Sequence, residues 1–324
     1  LPVHAEALRD ARHTVLVQSG SGLGSGYSDH EYREHGAQVF HRASDIWHRA
    51  EMIVKVKQPI AREVKYIRKD QVIMTYFHFA VNVQLMRALK QRKCIAIAYE
   101  TIQLDNGTLP LLTPMSEIAG RMSVHEGAKF LEEPMKGQGI LLAGVPGVAP
   151  ANVVILGGGV VGANAAKMAA GLGANVSILD INLDRLRYLD DIMPPNVVTL
   201  MSNAENIRKA VRDADLLIGA ILIPGARTPC LVSRKLVSQM RKGAVIVDVA
   251  IDQGGCIETS RPTTHEKPSF TVDGVVHYCV TNMPGAVART SSKALTNATF
   301  PFILQVASKG WERAAIENPA IKRG

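Results

Sequence analysis

The chain has 324 residues, and at about 150 residues per domain that length predicts two domains. Hydrophobic residues make up 47% and charged residues 20%, a balance that excludes a disordered chain. The net charge is +8, from 37 Lys/Arg against 29 Asp/Glu. No long basic run or set of interleaved aromatics goes with it, so a nucleic-acid partner is not expected. In chain order, strands are predicted at 13–18, 37–40, 52–56, 72–77 and 94–99, and helices at 30–35, 44–48 and 82–91. Gly36 falls where a glycine ends the first of these helices. A helix follows Leu112, with Thr113 as N-cap and Pro114 at its first position. Met115, Ile118 and Met122 give it one apolar face, and it serves as a connector. Beyond the Gly/Pro-rich loop 144–150, a second series of strands is predicted at 152–156, 175–180, 216–220, 244–250 and 277–281. A last helix starts near Arg289, with Pro301 kinking or interrupting it. Strand–helix alternation of this kind predicts α/β domains built on mostly parallel sheets.

Four cysteines, at 94, 230, 256 and 279, share no metal or redox spacing, so no metal site is expected and a reducing cytoplasm is. Charges at Glu6, Arg9, Asp10 and Arg12 exclude a signal peptide. The uncharged stretch 137–166 is long enough to span a bilayer, but its glycines and two prolines argue against a spanning helix. The chain opens on Leu1 rather than Met, as a trimmed or incomplete N-terminus would.

Gly157-x-Gly159-x-x-Gly162 carries the strongest chemical signal. It follows an apolar strand and opens a helix, and a second strand ends in Asp180 about 20 residues on. In this dinucleotide fingerprint the first glycine makes the turn, the second lets the pyrophosphate approach the backbone, and the third lets helix and strand pack closely. Asp180 would accept hydrogen bonds from ribose hydroxyls and repel a 2′-phosphate, which favours NAD over NADP. The glycines of 20–26 lack this spacing and are read as a flexible or substrate-facing loop.

Three further places carry candidate chemistry. In VKVKQP, Lys55 and Lys57 share one strand face, as a solvated face or as a grip on a substrate carboxylate. His78, in TYFHFA, is a core histidine or a general acid/base. Asp252 ends a strongly apolar strand, where ligands of open α/β sheets sit, or it caps the turn before two glycines. Asp248 is read as a strand or turn residue.

Over nearly its whole length the chain resembles the alanine dehydrogenase/transhydrogenase N-terminal superfamily, and alanine dehydrogenases in particular. The markers are VKVKQP, TYFHFA, AIAYETIQ, PLLTPMSEIAGRM, GGGVVG with SILDIN, GAILIPGART, VIVDVAIDQGGCIETSRPTTH and HYCVTNMPGAVARTSSKALTNAT. The resemblance implies a Rossmann NAD-binding domain (112–288) inserted in a substrate domain (1–111 and 289–324), with the C-terminal helix returning to the latter. It implies reversible oxidative deamination of L-alanine to pyruvate and ammonium with NAD, in a cytoplasmic homohexamer. It assigns Lys57 to the substrate carboxylate, and His78 and Asp252 to catalysis. Cofactor contacts fall on Ser116, Gly157, Gly159, Gly162, Asp180, Arg185, Ser202, Ile221, Leu222, Val249 to Asp252, and Val280, Asn282 and Met283. Two departures accompany it. The family begins with a strand and a loop arginine that pairs with the substrate carboxylate, a segment that would precede Leu1, and it continues past Gly324. Arg12 stands where the family usually has Gly, and a turn is expected there. The alternatives are an NAD(H)-binding subunit of a proton-translocating transhydrogenase, which would need no amino-acid site, and an inactive NAD-binding fragment.

Overall fold

The computed structural model describes residues 1–79, 82–223 and 228–324. They form two compact units, Leu1–Met115 with Val287–Gly324, and Ser116–Ala286.

The first unit opens with α1 (Pro2–Asp10), whose proline occupies a first-turn position that needs no donor. Arg12 follows with φ 68°, in the expected turn. Next come β1 (Leu16–Gln18), α2 (Asp29–Glu34) and β2 (Gln38–Phe40). A capping box starts α2: Glu31 N donates to Ser28 Oγ, and Ser28 N donates to Glu31 Oε2. Gly36 takes a left-handed φ of 87° at its end, as the sequence suggests. Then follow α3 (Ala43–Arg49), β3 (Met52–Lys57), α4 (Ala61–Val64), β4 (Val72–Tyr76), α5 (Val83–Arg92) and β5 (Ile95–Ala98). Strands β3, β4 and β5 form one parallel sheet in that order, and β1 and β2 form a separate parallel pair. The strand edges of β1 and β3, with α1, line a cavity of 1210 Å³ in this unit. The strand expected from residue 13 is short, starting only at Leu16, and Tyr99 has left the ladder for a 3-10 turn, Tyr99–Thr101.

The connector helix α6 runs Thr113–Phe130. Thr113 is not its cap: it is already helical, and its hydroxyl donates to Leu109 O at 2.9 Å. The second unit continues with β6 (Asn152–Leu156), α7 (Val160–Gly171), β7 (Asn175–Asp180), α8 (Leu183–Ile192), β8 (Val197–Met201), α9 (Ala204–Asp213) and β9 (Leu216–Gly219). After α10 (Arg234–Val237) come β10 (Val245–Asp248), β11 (Ser269–Val272) and β12 (Val275–Tyr278). The sheet order is β11-β12-β10-β9-β6-β7-β8, parallel except for β11. Val153 and Ile155 belong to one core cluster, and Val154 and Leu156 to another. Burial on both faces explains the unbroken apolar runs of these strands. The strand expected at 277–281 instead starts at Val275, paired with β11 across an Asp273-Gly274 turn in which both residues have positive φ.

The chain then returns to the first unit with α11 (Ala288–Lys309), α12 (Trp311–Glu317) and α13 (Pro319–Arg323). Pro301 does not end α11; the helix runs through it. Side chains of α11, among them Leu295 and Ile303, join Tyr76 and Tyr99 in the core.

Two buried polar groups make testable contributions to the second unit. Asp215, 4% exposed, accepts from Asn152 N at 2.8 Å and from the Arg241 guanidinium at 2.7 Å. Asp215→Ala leaves a buried amide without its acceptor, so a loss of about 1–3 kcal/mol is expected in urea unfolding. His277 is fully buried. Its Nδ1 lies 3.0 Å from Val275 O, which can only accept, so Nδ1 bears the proton and Nε2 accepts from Thr259 Oγ1 at 2.7 Å. Burial pushes this imidazole below its ordinary 6.5. The unfolded ring thus protonates while the native ring stays neutral, and the stabilisation is complete above that ordinary value and lost as pH falls below it. The stability difference between the parent and His277→Gln should therefore shrink between about pH 7.5 and about pH 5, read by thermal unfolding.

Candidate active site

In the first unit the structure separates the two lysines of β3. Lys55 Nζ pairs with Glu63 Oε1 at 3.0 Å, and buried Glu63 also accepts from Ile60 N. Lys57 Nζ lies 3.1 Å from His78 Nε2. A register shift between Val54 and Lys57 sets Lys57 opposite Tyr76, the last residue of β4. His78 comes two residues later, in a left-handed conformation with φ 52°. An ammonium can only donate, so beside charged Lys57 the Nε2 atom offers its lone pair and the ring proton sits on Nδ1.

Glu100, which the sequence reading did not single out, lies beneath this pair. Its Oε1 accepts from Phe77 N at 3.0 Å and from His78 N at 2.6 Å. The signal for it was a glutamate directly after the apolar run of AIAYETIQ. Two tyrosines are close by: Tyr76 stacks near the His78 ring and meets Tyr99 edge-on, and its hydroxyl donates to Leu111 O. Burial drives both phenols well above the ordinary tyrosine value, so neither exchanges a proton near neutral pH.

In the second unit β6 ends at Leu156 and Gly157 turns with φ 104°. A Cβ on Gly157 would lie 2.8 Å from Ala220 O, and one on Gly162 only 1.8 Å from Gly157 O. Gly159, the N-cap of α7, has nothing within 4 Å of a Cβ position. Its surroundings are open, as an approaching phosphate requires. Asp180 Oδ2 accepts from Gly158 N at 2.6 Å, and Arg185 Nε donates to Gly158 O at 2.6 Å. Ser202 follows β8, and its amide donates to Asp180 O. Ile221 and Leu222 follow β9, beside the switch point where β6 has β9 on one side and β7 on the other. The turns from β6 to α7 and from β7 to α8 thus supply an open helix N-terminus and a carboxylate, a donor set that fits a dinucleotide.

Val249–Gln253 form a 3-10 turn beyond β10. Buried Asp248 anchors it, accepting from Ala250 N and Cys256 N, each at 3.1 Å. Desolvation raises the Asp248 carboxyl above the ordinary aspartate value. Asp248, read from the sequence as a strand or turn residue, is the last residue of β10, and Asp252 lies in the turn that its carboxylate holds. Asn282, at φ 55°, donates its amide to Asp252 Oδ2 at 3.2 Å, so the loop beyond β12 meets the loop beyond β10. Val280 and Met283 are buried in the core, and Ser116 is buried in α6. Lys57 and His78 belong to the first unit, and Asp252 and the glycine turn to the second. In GAILIPGART residues 224–227 lie outside the described residues, as does Ala80 of TYFHFA. Among the described residues no group of three or more His, Cys, Asp or Glu side chains could hold a metal, and no helix is long and apolar enough to cross a membrane. Ser25 of the glycine loop bonds Ser292 Oγ of α11 at 2.6 Å.

These features define a two-unit α/β protein in which one unit has the sheet order and glycine turn of a dinucleotide-binding domain. The alanine dehydrogenase/PNT N-terminal domain matches residues 1–119, and the alanine dehydrogenase/PNT C-terminal domain matches residues 123–324. The chain belongs to the alanine dehydrogenase/PNT family. It is 56% identical to an alanine dehydrogenase of Methanococcus maripaludis, over 100% of this chain and 87% of that protein. It is 56% identical to one of Bacillus subtilis, over 96% of this chain and 82% of that protein. A solved L-alanine dehydrogenase superposes with a TM-score of 0.92 at 52% identity, covering 100% of this chain and 89% of that one. A transhydrogenase from Sinorhizobium meliloti shares the fold, with a TM-score of 0.79 at 24% identity over 95% of this chain and 89% of that one.

Proposed function

We propose that this chain catalyses the reversible NAD-dependent oxidative deamination of L-alanine to pyruvate and ammonium. The observation that carries the reading is the Lys57–His78 pair, with Lys57 Nζ and His78 Nε2 3.1 Å apart at neighbouring strand ends. A subunit that only passes hydride to another nucleotide has no carboxylate to hold, and the relatives at 56% identity are dehydrogenases, whereas the transhydrogenase match is at 24%. Bound nicotinamide supplies the acceptor for the hydride that leaves alanine Cα. Lys57 pairs with the substrate carboxylate and fixes Cα. His78 Nε2 takes a proton from the water that attacks the iminium carbon, and returns one to the departing amine. Asp252, held by Asn282 N, orients the reacting groups or relays their protons. Asp180 holds the adenosine ribose, with Arg185 beside it; Ser116, Gly157, Gly159, Gly162, Ser202, Ile221, Leu222, Val249, Val280, Asn282 and Met283 complete the cofactor contacts. We further infer a Rossmann domain over 112–288 within a substrate domain, and a cytoplasmic homohexamer.

The test is NADH appearance by near-ultraviolet absorbance with NAD and L-alanine, for this chain and for one extended at both ends. Turnover in either supports the reading. NADH binding without turnover in both overturns it in favour of a carrier or an inactive fragment.

A further inference from the structure

We propose that Glu100 is a positioning residue for this reaction: its buried carboxylate clamps the amides of Phe77 and His78, and so aims the imidazole at Lys57. The proposal rests on the reading of His78 as acid/base. The ladder between β4 and β5 reaches Thr75 and Ala98, and β4 itself ends at Tyr76, so Phe77 and His78 lie beyond the strand. In a strand, successive amides point to opposite sides. Here the amides of residues 77 and 78 converge on one oxygen, Glu100 Oε1, at 3.0 and 2.6 Å. Convergence of successive N–H groups makes an anion-binding concavity, and the carboxylate fills it from within the protein.

That arrangement sets the reactive ring. His78 is not glycine, yet its φ is 52°, a conformation the surrounding structure has to enforce. The enforcing group is buried: Glu100 is 7% exposed, and Phe77, whose amide it accepts, is 0% exposed. Removing the carboxylate therefore takes from both amides a partner that bulk water does not reach. With the backbone of residue 78 fixed, the ring lies near Tyr76 with its planes 22° apart, and Nε2 comes within 3.1 Å of Lys57 Nζ. Glu100 acts through the backbone of His78. Its carboxylate reaches the 3-10 turn's neighbour strand because Tyr99–Thr101 follows β5 directly.

Four variants test this: Glu100→Ala, Glu100→Asp, Glu100→Gln and the double variant Glu100→Ala/His78→Ala. Glu100→Gln keeps a carbonyl oxygen that can accept both amides. Glu100→Asp keeps the charge but shortens the reach by one methylene. Positioning predicts that Glu100→Ala and Glu100→Asp lose at least about tenfold in kcat per folded molecule, because a small misplacement of a catalytic group is costly. NADH affinity should stay at the parent value, and Glu100→Gln should recover to within about threefold of the parent. In the His78→Ala background, Glu100→Ala should remove no further turnover, because its effect passes through His78. Parent-like kcat in folded Glu100→Ala overturns the proposal. So does an equal loss in Glu100→Gln and Glu100→Asp, a comparison that still decides if Glu100→Ala does not fold. A further loss on top of His78→Ala overturns it as well, because it marks a general structural role. Failure of the underlying reading shows separately, as full turnover in His78→Ala alone.

Discussion

His78→Ala is expected to lower kcat for alanine oxidation by about 10²- to 10⁴-fold, the range a positioned acid/base contributes, while NADH binding stays at the parent value. The expectation follows from the division of labour in the fold. His78 belongs to the first unit, and the glycine turn, Asp180 and Arg185 to the second, so truncating one ring leaves the cofactor-binding elements intact. The buried tyrosines beside it cannot substitute, because burial holds their protons in place. Lys57→Ala should behave differently. Removing one partner of a desolvated charge pair costs about 2–5 kcal/mol, so KM for alanine should rise by about 30- to 5000-fold. Lys55→Ala should leave KM near the parent value, since its partner is Glu63. Stopped-flow and steady-state NADH absorbance read all three. Equal effects of the two lysine variants would sink the assignment of Lys57.

Gly162→Ala is expected to be the most damaging single methyl addition in the second unit. The new Cβ would lie 1.8 Å from Gly157 O, and its next neighbours include Gly157 C at 3.0 Å. Both are backbone atoms of the turn that joins β6 to α7, so the clash is relieved only by moving helix against strand. Overpacking of this kind costs about 1–3 kcal/mol, and here the upper end or beyond is expected. At about 2–4 °C of melting temperature per kcal/mol, a drop of roughly 6–12 °C should appear by calorimetry. NADH binding should weaken with it, because the same turn presents the helix N-terminus. Gly159→Ala is the matched contrast. Its φ of −66° suits alanine and nothing lies within 4 Å of the added methyl, so stability should stay within about 0.5 kcal/mol of the parent. Its NADH affinity should fall nonetheless, because the methyl enters the space left for the pyrophosphate. Parent-like NADH binding in Gly159→Ala would remove that turn from the cofactor site.

Local signals in the chain were enough at several places where the structure itself is local. Gly36 at a helix end, Arg12 in a turn and the βαβ run from Asn152 to Asp180 all depend on residues a few positions apart. The Asp273-Gly274 hairpin was equally local, and its signal was present in TVDGVV but passed over. Of the two outcomes expected at Pro301, interruption does not occur, and for a physical reason. Proline removes one donor and crowds the preceding turn. A helix with Leu295, Ile303 and Val306 in the core gains enough from packing to continue through it.

By itself, then, the sequence determined the α/β class, the glycine turn with its acid at the end of β7, and the family. These are written in short-range spacing and in runs of apolar residues whose two faces are both buried. The strand pattern left Lys55 and Lys57 of VKVKQP on one face, and only the tertiary structure shows Lys55 paired with the Glu63 carboxylate and Lys57 beside His78. That difference depends on Glu63 reaching Lys55 and on an irregular register that sets Lys57 opposite Tyr76. Tertiary structure alone also placed Glu100 under His78 and gave the histidine its left-handed backbone. Residues from three strand ends meet there, and no periodicity in one segment encodes a contact whose partners come from separate strands.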